Sequence, residues 1–133
     1  MFEKIGEAAK YASIEHKDGE EYDENVVDIK AKMYIFESKN WQPVGLVSVR
    51  LNDSLTEADP YSRLIIRLNE THRLMVNSRI SSNTACDKMQ EDQIKLTIID
   101  HETSKPKIIC IKTKKADIFF KELISRIEAR KIT

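Results

Sequence analysis

From Val27 to Phe36 the chain alternates strictly between two kinds of side chain, and this alternation constrains its fold more than any other feature. Val27, Ile29, Ala31, Met33 and Ile35 fall on one side of an extended backbone, and Asp28, Lys30, Lys32, Tyr34 and Phe36 fall on the other, because successive side chains of a strand point to opposite faces. The expectation is a long strand with one buried face. Such a face needs a second layer to cover it.

The segments after Phe36 supply that layer in short pieces. Glu37-Ser38-Lys39-Asn40 reads as a polar turn, and Val44 to Leu51 reads as a second strand, antiparallel to the first, with Pro43 confined to its start where a strand tolerates proline. The stretch from Asn52 to Tyr61, with Asp53, Ser54, Asp59 and Pro60, is the longest loop signal. Ser62 to Leu68, Arg73 to Ser78, Gln93 to Ile99 and Lys107 to Ile111 are then short, aliphatic or β-branched. They are separated by a turn at Asn69-Glu70, a polar stretch from Ser81 to Asp92 and a turn from His101 to Pro106. Roughly six or seven strands in succession imply an antiparallel sheet or sandwich.

The end of the chain changes period. Ala116, Phe119, Phe120, Leu123, Ile124 and Ile127 recur on one side of a helix against Lys115, Asp117, Lys121, Glu122, Ser125 and Arg126, with Thr113 as its expected N-cap. Burying such side chains at about 1.5–3 kcal/mol each is enough to plug the open end of a curled sheet. The fold class read from the sequence is therefore mainly β with a C-terminal α-helix, a pleckstrin-homology-like curled antiparallel sheet or barrel capped by one helix. Residues 25–131 form the expected domain. Residues 1–24 read as an acidic arm, partly helical or extended, in which Phe2, Ile5, Ala9 and Ala12 fall at helical spacing but make too thin a stripe to hold alone.

At 133 residues, 41% hydrophobic and 33% charged, the chain suits one soluble domain. No apolar run approaches the roughly 20 residues that span a bilayer. Glu3, Lys4, Glu7 and Lys10 interrupt any secretory signal at the start, so secretion is not expected. Cys86 and Cys110 match neither a metal pair nor a disulfide framework, and His16, His72 and His101 have no ligand spacing, so no metal is expected. Cys110, within Ile108-Ile109-Cys110-Ile111, reads as a buried small hydrophobe. With only three glycines, no phosphate loop, no nucleophile elbow and no paired His and carboxylate cluster, the chain offers no catalytic residue and no cofactor site.

Charge is balanced in total but not in place. The 22 basic and 22 acidic residues cancel, yet Glu15, Asp18, Glu20, Glu21, Asp23 and Glu24 crowd the front while Lys105, Lys107, Lys112, Lys114 and Lys115 crowd the back. Acidic residues are as numerous as basic ones and the aromatics sit at core spacing, which argues against nucleic acid. The chain is electrically bipolar.

Four pieces of sequence carry a family resemblance. Lys30-Ala31-Lys32-Met33-Tyr34-Ile35-Phe36, Trp41, Arg63-Leu64-Ile65-Ile66-Arg67 and Arg73-Leu74-Met75-Val76-Asn77 resemble the Ran-binding domain. Its pattern runs R/K-A-K-L-x-x-F, then Trp before R-G-x-G, then R-L-x-M-R, then a basic strand closing on Asn. The match runs over about residues 15 to 130. Val49-Arg50-Leu51-Asn52-Asp53 and Asp87-Lys88 look more narrowly like the subclass found in export cofactors, in which a plainer aliphatic strand replaces a tryptophan-rich one.

The resemblance implies a binding module, not an enzyme, whose partner is the GTP-bound small GTPase Ran, with an exportin-type receptor as a further partner. It implies a monomer in the nucleus, shuttling to the cytoplasm or the nuclear pore, with no nucleic-acid or membrane partner. In the family the acidic arm reaches a basic patch on Ran while Ran's acidic tail wraps the domain. Glu15, Glu20, Glu21, Asp23 and Glu24 align with the arm. Lys30, Lys32, Arg63, Arg67 and Arg73 are the candidates for the tail, Asn77 matches the asparagine beside the switch surface, and Trp41 and Gly45 belong to the Trp and glycine motif.

The same residues have plainer readings: the wet face of a strand for Lys30 and Lys32, core packing for Trp41, cross-strand ion pairs for Arg63 and Arg67. The chain also departs from the pattern. Where the family has Arg-Gly-x-Gly it has Val44-Gly45-Leu46-Val47, and losing an interface arginine costs about 2–5 kcal/mol, which implies weak intrinsic affinity. The alternative is a phosphoinositide- or peptide-binding module of the same superfold. The first hairpin, however, offers only Lys39 beside Glu37 for phosphates, and only Tyr34, Phe36 and Trp41 for an aromatic peptide groove.

Overall fold

A computed structural model describes residues 23–55, 61–99 and 104–132. The expected helix in the first dozen residues, the arm residues Glu15, Glu20 and Glu21, residues 56–60 of the expected loop and residues 101–103 of the turn beginning at His101 lie outside the described residues. Seven strands and one helix follow in order: β1 (Asp23–Glu37), β2 (Asn40–Ser54), β3 (Ser62–Leu68), β4 (Leu74–Arg79), β5 (Ala85–Gln90), β6 (Gln93–Ile99), β7 (Pro106–Lys112) and α1 (Ala116–Ile132).

Every pairing is antiparallel, in the order β4-β3-β2-β1-β7-β6-β5. β1 is long enough to serve two neighbours, holding β2 along its whole length and β7 over Lys32 to Ile35. The sheet curls, so that Ser78 Oγ on β4 donates to the carbonyl of Ile99 on β6 at 3.1 Å. Curling follows from the inherent twist of strands and lets one core serve all seven.

That core is the odd-numbered face of β1. Val27, Ile29, Ala31 and Met33 are buried with Val47, Val49, Leu51, Leu64, Ile66, Val76, Ile94, Leu96, Ile98, Ile109 and Ile111. Helix α1 closes the open end by inserting Ala116, Phe119, Leu123 and Ile127, spaced three or four apart and all at 2% exposure or less. Phe120 and Ile124 are half-buried at its flank. The helix begins at Ala116, after a turn in which the Thr113 hydroxyl accepts from the Lys115 N–H at 3.2 Å and donates to the Lys30 carbonyl at 3.1 Å. Thr113 thus fastens the helix entry to β1. This is the pleckstrin-homology-like architecture expected from the sequence.

Several boundaries differ from the sequence reading. β2 runs from Asn40 to Ser54, so Pro43 lies within it rather than at its start, and Asn52 to Ser54, read as loop, belong to the strand. β1 takes in Asp23 and Glu24, which the sequence placed in the arm, because a register shift between Asn25 and Val27 breaks the alternation and hides the strand's start. Ser81 to Asp92 is not all loop. It contains β5, an edge strand with five of its six residues exposed, and so without apolar alternation.

Candidate partner-binding surface

The register gives the even-numbered face of β1 its neighbours. Asp28 lies beside Arg50, which lies beside Ile65 and then Asn77. Lys30 lies beside Ser48 and then Arg67, and Lys32 lies beside Leu46. At one end, Asn25, Asn52, Arg63 and Arg79 form a further row. The outer face of β1 to β4 therefore gathers Lys30, Lys32, Arg63, Arg67 and Asn77, which are far apart in sequence. It adds Arg79, and also Arg50, which the sequence comparison had quoted in a motif without giving it a role at the surface. Arg50 was legible all the same, since it has the parity of Ser48 and Leu46 on a strand whose odd residues are apolar.

Within this face the cations differ in freedom. Lys30 is exposed and its ammonium donates to Ser48 Oγ at 2.6 Å and Asn69 Oδ1 at 3.0 Å, which aims it along the surface. Lys32 is exposed. Burial lowers the pKa of Arg67 from its ordinary value, although a guanidinium there stays charged. Arg63 is turned inward, its Nε 3.7 Å from a carboxylate oxygen of Asp23 and its side chain only 12% exposed.

Asp23 organises the arginine end. Its carboxylate, 1% exposed, accepts from the Tyr61 hydroxyl at 2.6 Å and from Asn52 Nδ2 at 3.3 Å. Arg63 and Arg79, opposite one another on β3 and β4, stand over the Tyr61 ring at 5.1 and 4.2 Å. Two like charges face to face are unfavourable. The tyrosine face and the buried aspartate offset that repulsion. Asp23 is thus placed inside the domain, whereas Glu24 is exposed.

The β1–β2 hairpin runs past its neighbours, since β3 covers only Val47 to Asp53 and β7 only Lys32 to Ile35. Its turn residues Ser38 and Lys39 have φ of 52° and 68°, the left-handed pair that matches strand twist. Near the tip Phe36 and Trp41 are 42% and 37% exposed and pack edge to face at 5.3 Å. Trp41 is therefore a surface residue and not core. Exposed paired aromatics on a projecting hairpin are the usual anchors of an interface.

Gly45 sits just beyond. A register shift opposite Met33 and Tyr34 leaves Val44 as the extra residue, and Gly45 takes φ of 127° with nothing within 4 Å of where a Cβ would stand. Its need for glycine is conformational. Val47, where the motif has its second glycine, points into the core at 0% exposure and fills it. Val44, at the motif's arginine position, is half-buried.

Around Lys30 and Lys32 the sheet opens into a depression of about 300 Å³ that is also lined by Lys112, Lys114, Leu46 and Asp92. The sequence had marked Lys112 and Lys114 only as part of a charge run. A second hollow of about 280 Å³ adjoins it on the other side of Leu46, against Asn69, Glu70 and Thr71. Arg73 is exposed on that same β3–β4 connection, its carbonyl accepting from the Leu68 N–H at 2.9 Å. The surface offers exposed lysines beside apolar side chains. Burial pushes the Cys86 thiol up to about 12 and raises that of Cys110, so neither presents a thiolate. Among the described residues no group of His, Cys, Asp and Glu is arranged to hold a metal, and no helix is long and apolar enough to cross a membrane.

The family model for the RanBP1 domain matches residues 15–131. The chain belongs to the Ran-binding domain family. Ran-binding protein 3 of mouse is 32% identical over 103 residues, which is 74% of this chain and 21% of that protein. Ran-binding protein 3-like of mouse is 30% identical over 106 residues, 77% of this chain and 22% of that protein. The chain thus spans about a fifth of the length of these relatives. Among solved structures, the Ran-binding domain of the nuclear complex component Nup2 from Ashbya gossypii superposes with a TM-score of 0.66. That match is 21% identical and covers 83% of this chain and 99% of the other, which places the two in one fold.

Proposed function

We propose that this chain binds the small GTPase Ran in its GTP-bound form, as an accessory factor in nucleocytoplasmic transport, and that it does so as a monomeric binding module rather than an enzyme. The observation that carries the reading is the register of β1 to β4, which gathers Lys30, Lys32, Arg67 and Asn77 on one outward face in a chain matched to the family over residues 15–131. In this reading an acidic tail of Ran lies over Lys30 and Lys32 and into the depression lined by Lys112 and Lys114, while Phe36 and Trp41 meet the body of the GTPase. Arg73 and Arg67 flank the same path. Glu15, Glu20, Glu21 and Glu24 reach toward a basic patch on the partner. Arg63 and Asp23 hold the end of the face in shape through their mutual contact.

The finer reading is an export cofactor with weak intrinsic affinity, working in the nucleus and shuttling to the cytoplasm or the pore. It is supported by Val44 at the motif's arginine position and by the similarity to Ran-binding protein 3. A pull-down with Ran loaded with GTP or GDP tests the first proposal, and retention of both forms alike removes it. Titrating Ran·GTP with and without an exportin tests the second, which equal affinities remove.

One observation favours a second reading. Four lysines around one hollow also suit a phosphoinositide headgroup. Sedimentation with phosphoinositide vesicles decides this, since binding there but not to Ran selects the lipid.

A further inference from the structure

The outer face is built differently at its two ends. At one end the exposed Lys30, Lys32, Lys112 and Lys114 stand around a hollow with a single acid, Asp92, among its lining residues. At the other end, reached along β3 from Arg67 to Arg63 and so about 13 Å away, the cation faces inward. Arg63 Nε lies 3.7 Å from Asp23 Oδ2, with the arginine side chain 12% and the aspartate side chain 1% exposed. The Tyr61 hydroxyl donates to Asp23 Oδ1 at 2.6 Å, Asn52 Nδ2 donates to Oδ2 at 3.3 Å, and Asn25 Nδ2 donates in turn to Asn52 Oδ1 at 3.0 Å. Taking a carboxylate out of water is costly unless a cation and donors meet it. Here the cation that meets it belongs to the face itself. Arg79, the exposed neighbour of Arg63 on β4, is drawn over the Tyr61 ring at 4.2 Å.

We propose that Asp23 determines the specificity of this face: by holding Arg63 inward it closes the arginine end to anions and confines an acidic segment of a partner to the lysine hollow. The inference rests on the reading of this face as the partner-binding surface, and adds the residue that sets where along it a segment settles. Charge complementarity fixes register because a segment gains most where its carboxylates meet cations turned to solvent. A cation matched from inside the fold offers little more. Removing the Asp23 charge frees Arg63 to swing outward beside Arg79, and the face then has a second place for anions.

The test titrates the full chain with a fluorescent polyglutamate peptide by anisotropy at low salt. Asp23→Asn keeps an oxygen for the Tyr61 hydroxyl and removes the charge that holds Arg63. It is expected to bind the peptide about three- to tenfold more tightly, with the gain fading at high salt. Glu128→Gln, which makes the same charge change at an exposed position of α1, is expected to tighten binding less than about twofold. The double variant Asp23→Asn/Arg63→Gln removes acid and base together at constant net charge, and is expected to match the wild type within about twofold. No tightening in Asp23→Asn, equal tightening in Glu128→Gln, or a departure of the double variant beyond that range overturns the proposal. A merely structural role for Asp23 predicts weakening and not a gain. The peptide carries no nucleotide, so these outcomes are separate from the Ran reading, which the comparison of GTP and GDP forms decides.

Discussion

Arg126 on α1 grips Asp53 on β2 with two hydrogen bonds, Nε to Oδ1 at 2.8 Å and Nη2 to Oδ2 at 2.7 Å. The remaining nitrogen, Nη1, donates to the Glu122 carboxylate and carbonyl, both at 2.9 Å. Ser62 Oγ donates to the same Asp53 at 2.7 Å. One planar guanidinium thus ties the capping helix to the end of the β2–β3 hairpin, where the loop between the two strands begins. The hydrogen bond from Arg126 holds the Asp53 carboxyl below its ordinary value of 3.8 against a desolvation that works the other way.

Arg126→Ala is therefore expected to cost on the order of 1–2 kcal/mol in denaturant unfolding, since half of a two-pronged pair is left behind. The sign of the pH dependence follows from the lowered pKa. A carboxylate favoured in the folded state stabilises above its unfolded pKa, and that contribution is lost as pH falls through the folded value. The gap between wild type and Asp53→Asn should hold from neutral pH down to about 4 and close below it. A gap that is constant to lower pH would contradict the pairing.

Tyr61→Phe removes the donor to the buried Asp23 carboxylate and keeps the ring under Arg63 and Arg79. The expected loss is about 1–3 kcal/mol, the cost of leaving a buried acceptor short of a partner. The hydrogen bond to Asp23 also raises the phenol above its ordinary value of 10.0. Its stabilising contribution is present below 10.0 and lost as pH rises through the folded value, so phenolate absorbance should show Tyr61 among the last tyrosines to ionise.

Gly45→Ala meets no atom within 4 Å, so any cost is conformational. At φ of 127° that cost is about 1–3 kcal/mol. Thermal unfolding should drop accordingly, whereas Val44→Arg, which restores the motif arginine on the same bulge but gives up a valine packed against the core, should tighten binding to Ran·GTP.

Lys32→Glu and Trp41→Ala separate binding from folding. Both residues are exposed, one lining the basic depression and one beside Phe36. Each is expected to weaken Ran·GTP binding about tenfold or more, an interface loss of about 1.4 kcal/mol or above. Lys32→Glu should leave the melting temperature unchanged. Its effect should shrink as salt screens the charge, and that of Trp41→Ala should not.

The chain discloses its inner face and its last helix plainly, because both are written in apolar periods: two from Val27 to Met33, and three or four from Ala116 to Ile127. β5 was hidden because an edge strand with Asp87, Lys88 and Gln90 has no buried face to alternate. The entry of β1 was hidden by one irregular residue, Val26, which shifts the register. The candidate surface was legible as separate pieces, since Lys30, Lys32, Arg63, Arg67 and Asn77 sit on the polar parity of their strands. What no linear reading supplies is which strand lies beside which. Arg50 and Arg79 join the face, and Lys112 and Lys114 reach the hollow beside Lys30, only through pairings across long stretches of chain.

Isothermal titration of the full chain against Ran loaded with a nonhydrolysable GTP analogue, and separately with GDP, tests the central claim most directly. The account predicts measurable binding to the triphosphate form at least about tenfold tighter than to the diphosphate form, a difference of about 1.4 kcal/mol. Equal affinities, or heat from neither, would contradict it.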